Sequence, residues 1–281
     1  SDISRLAEAI INEVYSDPKI VGESGDMFTK NSLESIRREC CGIIFKLAEK
    51  VKLSAYTPKL IEYGFGDGGE IIIPAGDGRF VVKGKIDRVD TLEKGGSKKA
   101  IVIDYKTGSK KDPDAYFGKS LQLWMYLKAL SREGYEPAGA FYLPIIDAPS
   151  KDVKPLLLNG YFDADELGNL DTKILEAPYE GKKILSSTIN ASISKGKLSK
   201  NALDKETLCA IVDYNIEIAG IALKEILEGN IEKLPLENSC NWCKYLLVCG
   251  GAESENCRET SSGKLPLAGS DGKEVGDAKM D

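Results

Sequence analysis

The fold of this chain is set by two stretches, GKIDRVD at residues 84–90 and IVIDYKTG at residues 101–108. Both are of strand type: the first carries Asp87 and Asp90, and the second is an apolar run that ends in Asp104, Tyr105 and Lys106. Side chains in a strand alternate between the two faces of the sheet, so Asp104 and Lys106 share one face. If the strand with Asp87 pairs with the strand with Asp104, two carboxylates and one ammonium group meet at one end of a sheet.

The residues around these stretches predict a strand meander enclosed by helices. Short β-rich runs, with Gly-Asp turns between the first three, are predicted as strands at residues 59–65, 71–73, 79–89 and 100–105, and a further strand is predicted at 139–144. Apolar residues at helical spacing predict helices at residues 2–15, 32–52, 121–130 and 205–228. We therefore expect an α/β fold with a central mixed β-sheet flanked by helices.

The organisation predicted from composition is one globular domain at residues 1–250. Residues 146–204 are rich in Lys, Gly, Ser and Asp, and we expect them to form an insertion over the surface. Residues 251–281 are polar and rich in Gly and Ser, and we expect a disordered tail there.

Composition and charge narrow the functional classes. With 42% hydrophobic residues in 281, the chain can bury a sizeable core. It has no apolar run of the ~18–20 residues that span a membrane and no N-terminal signal pattern, so we expect a cytoplasmic protein without membrane contact. The net charge of −6 argues against non-specific coating of nucleic acid. A local basic groove is still expected, because residues 83–119 contain ten basic and six acidic residues.

The chain contains no histidine, so hydrolytic chemistry must use carboxylates, lysine, hydroxyls or thiolates. Two carboxylates at one point need a counter-cation, and Mg²⁺ or Mn²⁺ prefers oxygen ligands. We expect Asp87, Asp104 and the Tyr105 carbonyl to hold the metal, and Lys106 to orient a water for phosphodiester hydrolysis. The alternative is that Asp87 with Arg88, and Asp104 with Lys106, form ordinary surface ion pairs.

Three of the seven cysteines form a C-x2-C-x5-C pattern at Cys240, Cys243 and Cys249, here called the cysteine triplet. Because we expect a cytoplasmic protein, an odd number of cysteines fits metal binding or free thiols better than a disulfide framework. Tight spacing of this kind lets three thiolates face one ion or cluster. Spacing alone does not separate an iron–sulfur cluster from a structural zinc that also uses Cys257.

These motifs resemble the RecB-like branch of the PD-(D/E)xK nuclease superfamily, which has a restriction-endonuclease-like fold. The branch is marked by a Gly-x-Ile-Asp-Arg strand, an Asp-Tyr-Lys strand and a Gln-x-x-x-Tyr helix, the last present here as Gln122 and Tyr126. The segments YFGKSLQ at 116–122 and PAGAFY at 137–142, followed by the cysteine triplet, are similar to the nuclease domain of AddB-type subunits.

The resemblance implies a Mg-dependent DNA exonuclease module that works with an AddA-type helicase–nuclease subunit on double-strand breaks. It implies catalytic roles for Asp87, Asp104, Lys106, Gln122 and Tyr126. It also implies a [4Fe–4S] cluster on the cysteine triplet plus one upstream cysteine. That cysteine and a histidine-bearing helix are expected before residue 1, so we expect a larger protein. No Gly-x-x-x-x-Gly-Lys-Ser/Thr loop occurs here, so ATP hydrolysis is expected elsewhere.

Two alternatives stay open. One is a CRISPR-associated RecB-like nuclease, which the AddB-like segments disfavour, and the other is a catalytically idle DNA-binding or scaffold module. Glu62 is either a further acid near the metal or an edge-strand charge. Cys40, Cys41 and Cys209 are expected as buried structural cysteines, although either of the first two offers a fourth cluster ligand. Cys257 is expected as a free thiol.

Overall fold

The structure is a computed structural model of the 281-residue chain. It describes residues 2–17, 27–66, 71–75, 78–107, 115, 118–145, 156–176, 182–233, 235 and 239–251. The expected disordered tail, with Cys257, lies outside the described residues apart from Gly251.

The predicted helices and strands appear in the predicted order, except that the single strand predicted at 79–89 is two strands, and the elements within residues 156–203 and 239–249 were not predicted. The helices are α1 (Asp2–Ser16), α2 (Met27–Val51), α3 (Gln122–Arg132), α4 (Leu167–Leu170), α5 (Lys205–Leu227) and α6 (Leu246–Cys249). The strands are β1 (Thr57–Phe65), β2 (Ile71–Ala75), β3 (Gly78–Val82), β4 (Gly84–Lys94), β5 (Ser97–Lys106), β6 (Glu136–Pro144), β7 (Asn159–Asp163), β8 (Ile184–Leu185), β9 (Ser192–Ser194), β10 (Lys197–Leu198) and β11 (Ala202–Leu203). Short 3₁₀ turns cover Ala164–Glu166 and Ser239–Trp242.

Six of the described strands form one central sheet in the order β1-β4-β5-β6-β7-β11. Strands β1, β4 and β5 are antiparallel neighbours, as are β6 and β7. Strand β6 runs parallel to β5, and β11 runs parallel to β7. Helices α3 and α5 contact this sheet. The expected α/β fold with a central mixed sheet flanked by helices is therefore confirmed.

The core consists of two layers, one on each face of the sheet. On β5, Ala100 and Val102 face the layer that contains α3 and α5, whereas Ile101 and Ile103 face the layer that contains α4. All four are buried. A central strand covered on both faces is apolar at successive positions, which explains the unbroken IVI run before Asp104.

The described part of residues 146–204, for which composition predicted a surface insertion, contributes several side chains to the domain core, while residues 146–155 and 177–181 lie outside the described residues. Its strand β7 pairs with β6, and Phe162, Leu167 and Leu170 are buried in the layer of α4. Gly160 permits the close approach of the two strands, because a Cβ there would lie 1.9 Å from the Ala140 carbonyl oxygen. The region has few apolar residues, but most of them face the core, so they are enough to pack it against the sheet.

The N-terminal helices pack on each other, with α1 against α2. On α1, Ala7 and Ile11 are buried, but Leu6, Ile10 and Val14 are exposed even though the apolar spacing includes them. Among the described helices, none has the length and apolar character needed to cross a membrane.

Candidate active site

The aspartates of the two strand motifs lie near each other on adjacent strands. Arg88 of β4 and Ile103 of β5 form the last pair of the ladder that the two strands share, and Asp87 and Asp104 are the next residues beyond it. The negative charges of both carboxylates act on Tyr126, which places them on the side of helix α3. The Asp87 carboxylate accepts a hydrogen bond from the Tyr105 backbone N–H at 2.9 Å. The predicted pairing is thus present, and it brings the two carboxylates together.

Lys106 extends along the same face as Asp104 and forms an ion pair with it. Asp104 is only 2% exposed, so this carboxylate depends on protein groups and not on bulk water. The Lys106 ammonium also donates a hydrogen bond to Oε1 of Gln122 at 3.1 Å. The ion pair between Asp104 and Lys106 that the alternative expected is therefore present, although its carboxylate is buried and does not lie at the surface.

The other half of that alternative is wrong, because Arg88 pairs with Asp90 and not with Asp87. Arg88 donates two hydrogen bonds of 2.6 Å to Asp90, and both residues are buried on the opposite face of the sheet. Positions two apart in a strand share a face, which explains this partner. Burial raises the pKa of the Asp90 carboxyl, although its hydrogen bonds from Arg88 act in the opposite direction.

Helix α3 presents Gln122 and Tyr126 to the lysine. Gln122 accepts from Lys106 through Oε1 and donates through Nε2 to the Tyr126 hydroxyl at 2.8 Å. The i, i+4 spacing places the two side chains on one side of the helix. Burial raises the pKa of Tyr126, and the negative charges of Asp104 and Asp87 raise it further. The tyrosine is therefore a neutral hydroxyl next to two carboxylates.

Tyr142 and Ser120 complete the surroundings of Lys106, and no role was predicted for either from sequence. The Lys106 ammonium lies 5.1 Å from the centre of the Tyr142 ring, which is a cation–π distance. The Tyr142 hydroxyl shares a 2.6 Å hydrogen bond with the Ser120 hydroxyl. Tyr142 pairs with Asp104 across the parallel strands β5 and β6. Only the register of β6 against β5 reveals this neighbour, and no local pattern encodes it.

Glu62 lies opposite Asp87 on β1, since Ile61 pairs with Arg88 and Tyr63 with Ile86. Its backbone has φ of +50°, a left-handed conformation that is uncommon outside glycine. Its side chain is exposed and forms an ion pair with Lys85. A hydrogen bond from Lys85 to Glu62 raises the pKa of that lysine, and the charge of Asp87 adds to the shift. Glu62 thus borders the aspartate pair from the solvent side.

The oxygen donors in this arrangement fit a divalent cation of the Mg²⁺ or Mn²⁺ type. Asp87 and Asp104 contribute one carboxylate each from adjacent strands, and hard cations favour such ligands. Within the part of the chain that the structure describes, no group of three or more His, Cys, Asp or Glu side chains is arranged to hold a metal. Further ligands would therefore be the Tyr105 carbonyl, already expected from sequence, and water.

The cysteine triplet lies in the segment that contains the second 3₁₀ turn and α6. Cys243 and Cys249 are exposed and Cys240 is partly exposed. Among the described residues, no three His, Cys, Asp or Glu side chains are arranged to hold a metal, and this includes the cysteine triplet. The three thiols therefore do not converge on one point in this structure. Lys233 anchors the end of the segment by donating to the Cys249 carbonyl at 3.1 Å.

The remaining described cysteines are less buried than expected, since Cys40, Cys41 and Cys209 are all intermediate in exposure. Burial raises the pKa of Cys40, and its neighbour Cys41 and Glu39 raise it further. Burial also raises the pKa of Cys209. A raised pKa disfavours the thiolate that binds metals, so neither residue is prepared as a ligand.

Similarity to known proteins defines the family of this chain. A model of the PD-(D/E)XK nuclease superfamily matches residues 1–250, which include every residue of the site. The chain belongs to the PD-(D/E)XK nuclease superfamily.

Curated relatives narrow the similarity to one kind of protein, the AddB-type subunit of an ATP-dependent helicase/deoxyribonuclease. The relative from Clostridium kluyveri is 28% identical over 284 residues, covering 87% of this chain and 24% of the relative. The one from Clostridium botulinum (strain Loch Maree) is 31% identical over 254 residues, covering 77% and 21%. The one from Thermoanaerobacter sp. (strain X514) is 30% identical over 247 residues, covering 76% and 21%. The chain spans about a fifth to a quarter of the length of these relatives.

Proposed function

We propose that this chain is the Mg²⁺-dependent DNA nuclease module of an AddB-type subunit and cleaves phosphodiester bonds as an exonuclease. The observation that carries the proposal is the proximity of two carboxylates, Asp87 and Asp104, at the end of the β4–β5 ladder, with the Lys106 ammonium against one of them. Manganese fits the same oxygen donors. This combination of two acids and a lysine suits hydrolysis of a phosphate ester without histidine.

Each residue has a distinct proposed role. Asp87, Asp104 and the Tyr105 carbonyl would hold the divalent cation, which supplies a Lewis acid and a more acidic water. Lys106 orients the attacking water and offsets negative charge on the phosphate. Gln122 holds the lysine through its 3.1 Å hydrogen bond, and Tyr126 holds the amide of Gln122. Burial of this chain of contacts fixes the position of the ammonium group before substrate arrives.

The proposed context is a cytoplasmic helicase–nuclease that processes DNA double-strand breaks. The names of the curated relatives include helicase and deoxyribonuclease activity, and this chain matches only a limited part of each relative. An AddA-type subunit is the proposed partner, with the ATP-driven motor outside the residues of this chain.

The cysteine triplet is proposed to bind a [4Fe–4S] cluster in the full-length protein, with a fourth ligand from elsewhere in the polypeptide. The C-x2-C-x5-C spacing supports this assignment, because closely spaced thiolates are the usual ligands of such clusters. Two of the three thiols are exposed, so the segment can rearrange around a cluster without disrupting the core. The raised pKa of Cys40 argues against that residue as the fourth ligand.

The test of catalysis is Lys106→Ala, with Lys128→Ala as a matched control. Lys106 is 23% exposed and paired with Asp104, while Lys128 is 28% exposed and paired with Asp213 on α5. Both variants lose a lysine of similar exposure and its ion pair with an aspartate, which is buried at Asp104 and exposed at Asp213, and only the first lies at the proposed site. In the helicase–nuclease complex, we expect Lys106→Ala to lower the cleavage rate at least about 100-fold, as for loss of a group that stabilises developing charge.

The control should cleave within a few-fold of wild type, since an ion pair of this type contributes only about 0–1 kcal/mol. The assay uses end-labelled duplex with Mg²⁺ and ATP and scores the strand assigned to this subunit. DNA binding and unwinding should persist in both variants, because the lysine is used mainly in the transition state. Undiminished cleavage by Lys106→Ala would overturn the catalytic proposal and favour the idle scaffold module.

A further inference from the structure

A buried ion pair lies behind the aspartate site, on the opposite face of the sheet. Arg88 donates through Nε and Nη2 to the two carboxylate oxygens of Asp90, each at 2.6 Å. Arg88 is 7% exposed and Asp90 is 4% exposed. The pair borders a cavity of about 40 Å³ that is lined mainly by apolar side chains, among them Ile103 and Leu143. The two charges therefore lie among apolar groups and not at the surface.

Stability alone does not account for an ion pair of this kind. The cost of taking two charges out of water can exceed their mutual attraction, and replacing such a pair by apolar residues of similar volume is often neutral or stabilising. A buried ion pair can instead fix one conformation, because a bidentate guanidinium–carboxylate contact requires a particular geometry. The further contacts of the guanidinium show which part of the chain is fixed.

Tyr105 is the second partner of Arg88. Arg88 pairs with Ile103 across β4 and β5, and Tyr105 lies two positions beyond Ile103, so its side chain projects from the face that carries the guanidinium. The Tyr105 side chain packs there against the core layer that contains α4. Burial acts to lower the pKa of Arg88, but hydrogen bonds to Asp90 and to the Tyr105 side chain raise it above its usual range.

The backbone of Tyr105 connects this ion pair to the aspartate site. The β4–β5 ladder ends at the pair of Arg88 and Ile103, and beyond it the Tyr105 N–H donates to the Asp87 carboxylate at 2.9 Å. One residue is thus held by its side chain on one face of the sheet, while its N–H holds a carboxylate of the site. The carbonyl of the same residue is the proposed third oxygen ligand, so fixing Tyr105 fixes two groups of the site.

We propose that Arg88, itself held by Asp90, is a positioning residue of the nuclease site: it holds the Tyr105 side chain and through Tyr105 sets the position of the Asp87 carboxylate. The inference rests on the proposed function, because that function makes Asp87 a metal ligand. Arginine suits the role, since its planar guanidinium has enough N–H donors to contact a carboxylate and a hydroxyl together. Arg88 touches neither metal nor DNA, so it acts only through its neighbours.

The test is Tyr105→Phe, which removes the hydroxyl that Arg88 contacts but keeps the ring and the buried ion pair. Tyr63→Phe is the matched control, because Tyr63 is also a partly buried strand tyrosine and loses a 2.6 Å hydrogen bond to Glu133. The first readout is hydrogen exchange of the residue-105 amide, measured by NMR on the 281-residue chain in EDTA. This readout requires neither metal nor cleavage.

Exchange at residue 105 should be roughly five- to tenfold faster in Tyr105→Phe, which corresponds to losing about half of a typical hydrogen bond to a charged group. In Tyr63→Phe this amide should exchange as in wild type. Arg88→Lys keeps the positive charge beside Asp90 but lacks the planar group of donors, so it should also speed exchange at residue 105. The urea midpoints of the two tyrosine variants should be similar, so a purely structural role would not separate them.

The second readout is the affinity of the same proteins for Mn²⁺, measured by calorimetry without DNA. Groups that orient metal ligands typically contribute 10–100-fold to metal affinity, so Tyr105→Phe should weaken Mn²⁺ binding at least about tenfold. Tyr63→Phe should bind Mn²⁺ as the wild type does.

Wild-type exchange at residue 105 in either Tyr105→Phe or Arg88→Lys would overturn this proposal, as would an equal change in the Tyr63→Phe control. Faster exchange with unchanged Mn²⁺ affinity, or a wild-type chain that binds no Mn²⁺, would also overturn it. A cleavage assay of the helicase–nuclease complex keeps the two proposals apart. Mn²⁺ binding that depends on the Tyr105 hydroxyl, without cleavage, would support the positioning role and count against the nuclease assignment. Cleavage with wild-type exchange in Tyr105→Phe would do the reverse.

Discussion

The substitution Asp104→Asn tests whether the two aspartates form a cation site. The two residues lie just beyond the last β4–β5 pair and both act on Tyr126, so we use the ~5 Å spacing typical of neighbouring side chains on adjacent strands. Two negative charges at that distance repel by about 3 kcal/mol at an effective dielectric constant of ~20. Lys106 offsets part of this repulsion, and a divalent cation removes the remainder. Asparagine keeps the shape of the buried side chain but removes one of the two charges.

The expected effect is a loss of stabilisation by Mg²⁺. At a Mg²⁺ concentration ten times its Kd, binding to the native state stabilises the wild type by about 1.4 kcal/mol. For a domain of this size, that raises Tm by about 3–6 °C. If the lost charge weakens binding tenfold, the same Mg²⁺ concentration stabilises the variant by only about 0.4 kcal/mol. The corresponding rise in Tm is below ~2 °C.

The assay is differential scanning calorimetry of each protein with and without Mg²⁺. Comparing each protein with itself cancels any change in stability of the metal-free state, including the lost ion pair with Lys106. Asp213→Asn is the control, because Asp213 also pairs with a lysine but is 66% exposed on α5. It should retain the full Mg²⁺ effect. A wild-type rise in Tm that persists undiminished in Asp104→Asn would refute the reasoning.

Two further predictions concern regions outside the aspartate site. Burial acts to raise the pKa of the Glu166 carboxyl, but hydrogen bonds from Lys99, Tyr56 and Asn169 outweigh it and hold this pKa below its usual range. The charged carboxylate therefore stabilises the fold above pH ~4.3, the pKa of a glutamate in the unfolded chain. This stabilisation is lost as the pH falls through the lower pKa of the folded protein. In urea unfolding, Glu166→Gln should be less stable than wild type by about 1.5–3 kcal/mol at pH 7, with the gap closing towards pH 3, and a gap independent of pH would contradict this. The 281-residue chain should contain fewer than about four irons by elemental analysis, since the cysteine triplet leaves one iron of a [4Fe–4S] cluster without its usual protein ligand; a full complement would mean that another cysteine of this chain completes the site.

The candidate site was largely predictable because its motifs are local. Asp104 and Lys106 share a face by the period of a strand, and Gln122 and Tyr126 share one by the period of a helix. Pairing of the strands on either side of a short turn then brings Asp87 and Asp104 to the same end of the ladder. Each of these steps depends on residues close together in sequence.

Contacts between distant segments were not predictable in the same way. The lysine meets the Tyr142 ring only because β6 runs parallel to β5 with a particular register. The apolar pattern of α1 gave no indication that Leu6 and Ile10 would be exposed, because spacing shows which residues share a face but not what covers it.

Local sequence patterns therefore determined the order of helices and strands, the mixed α/β class and the group of acids and lysine. Long-range packing decided the partner of each charged group and the position of residues 156–203. Arg88 pairs with Asp90 on the far face, and a segment of surface-like composition supplies β7 and part of the core. The physical reason is that period and propensity act within a few residues, whereas burial and sheet register depend on segments far apart in the chain.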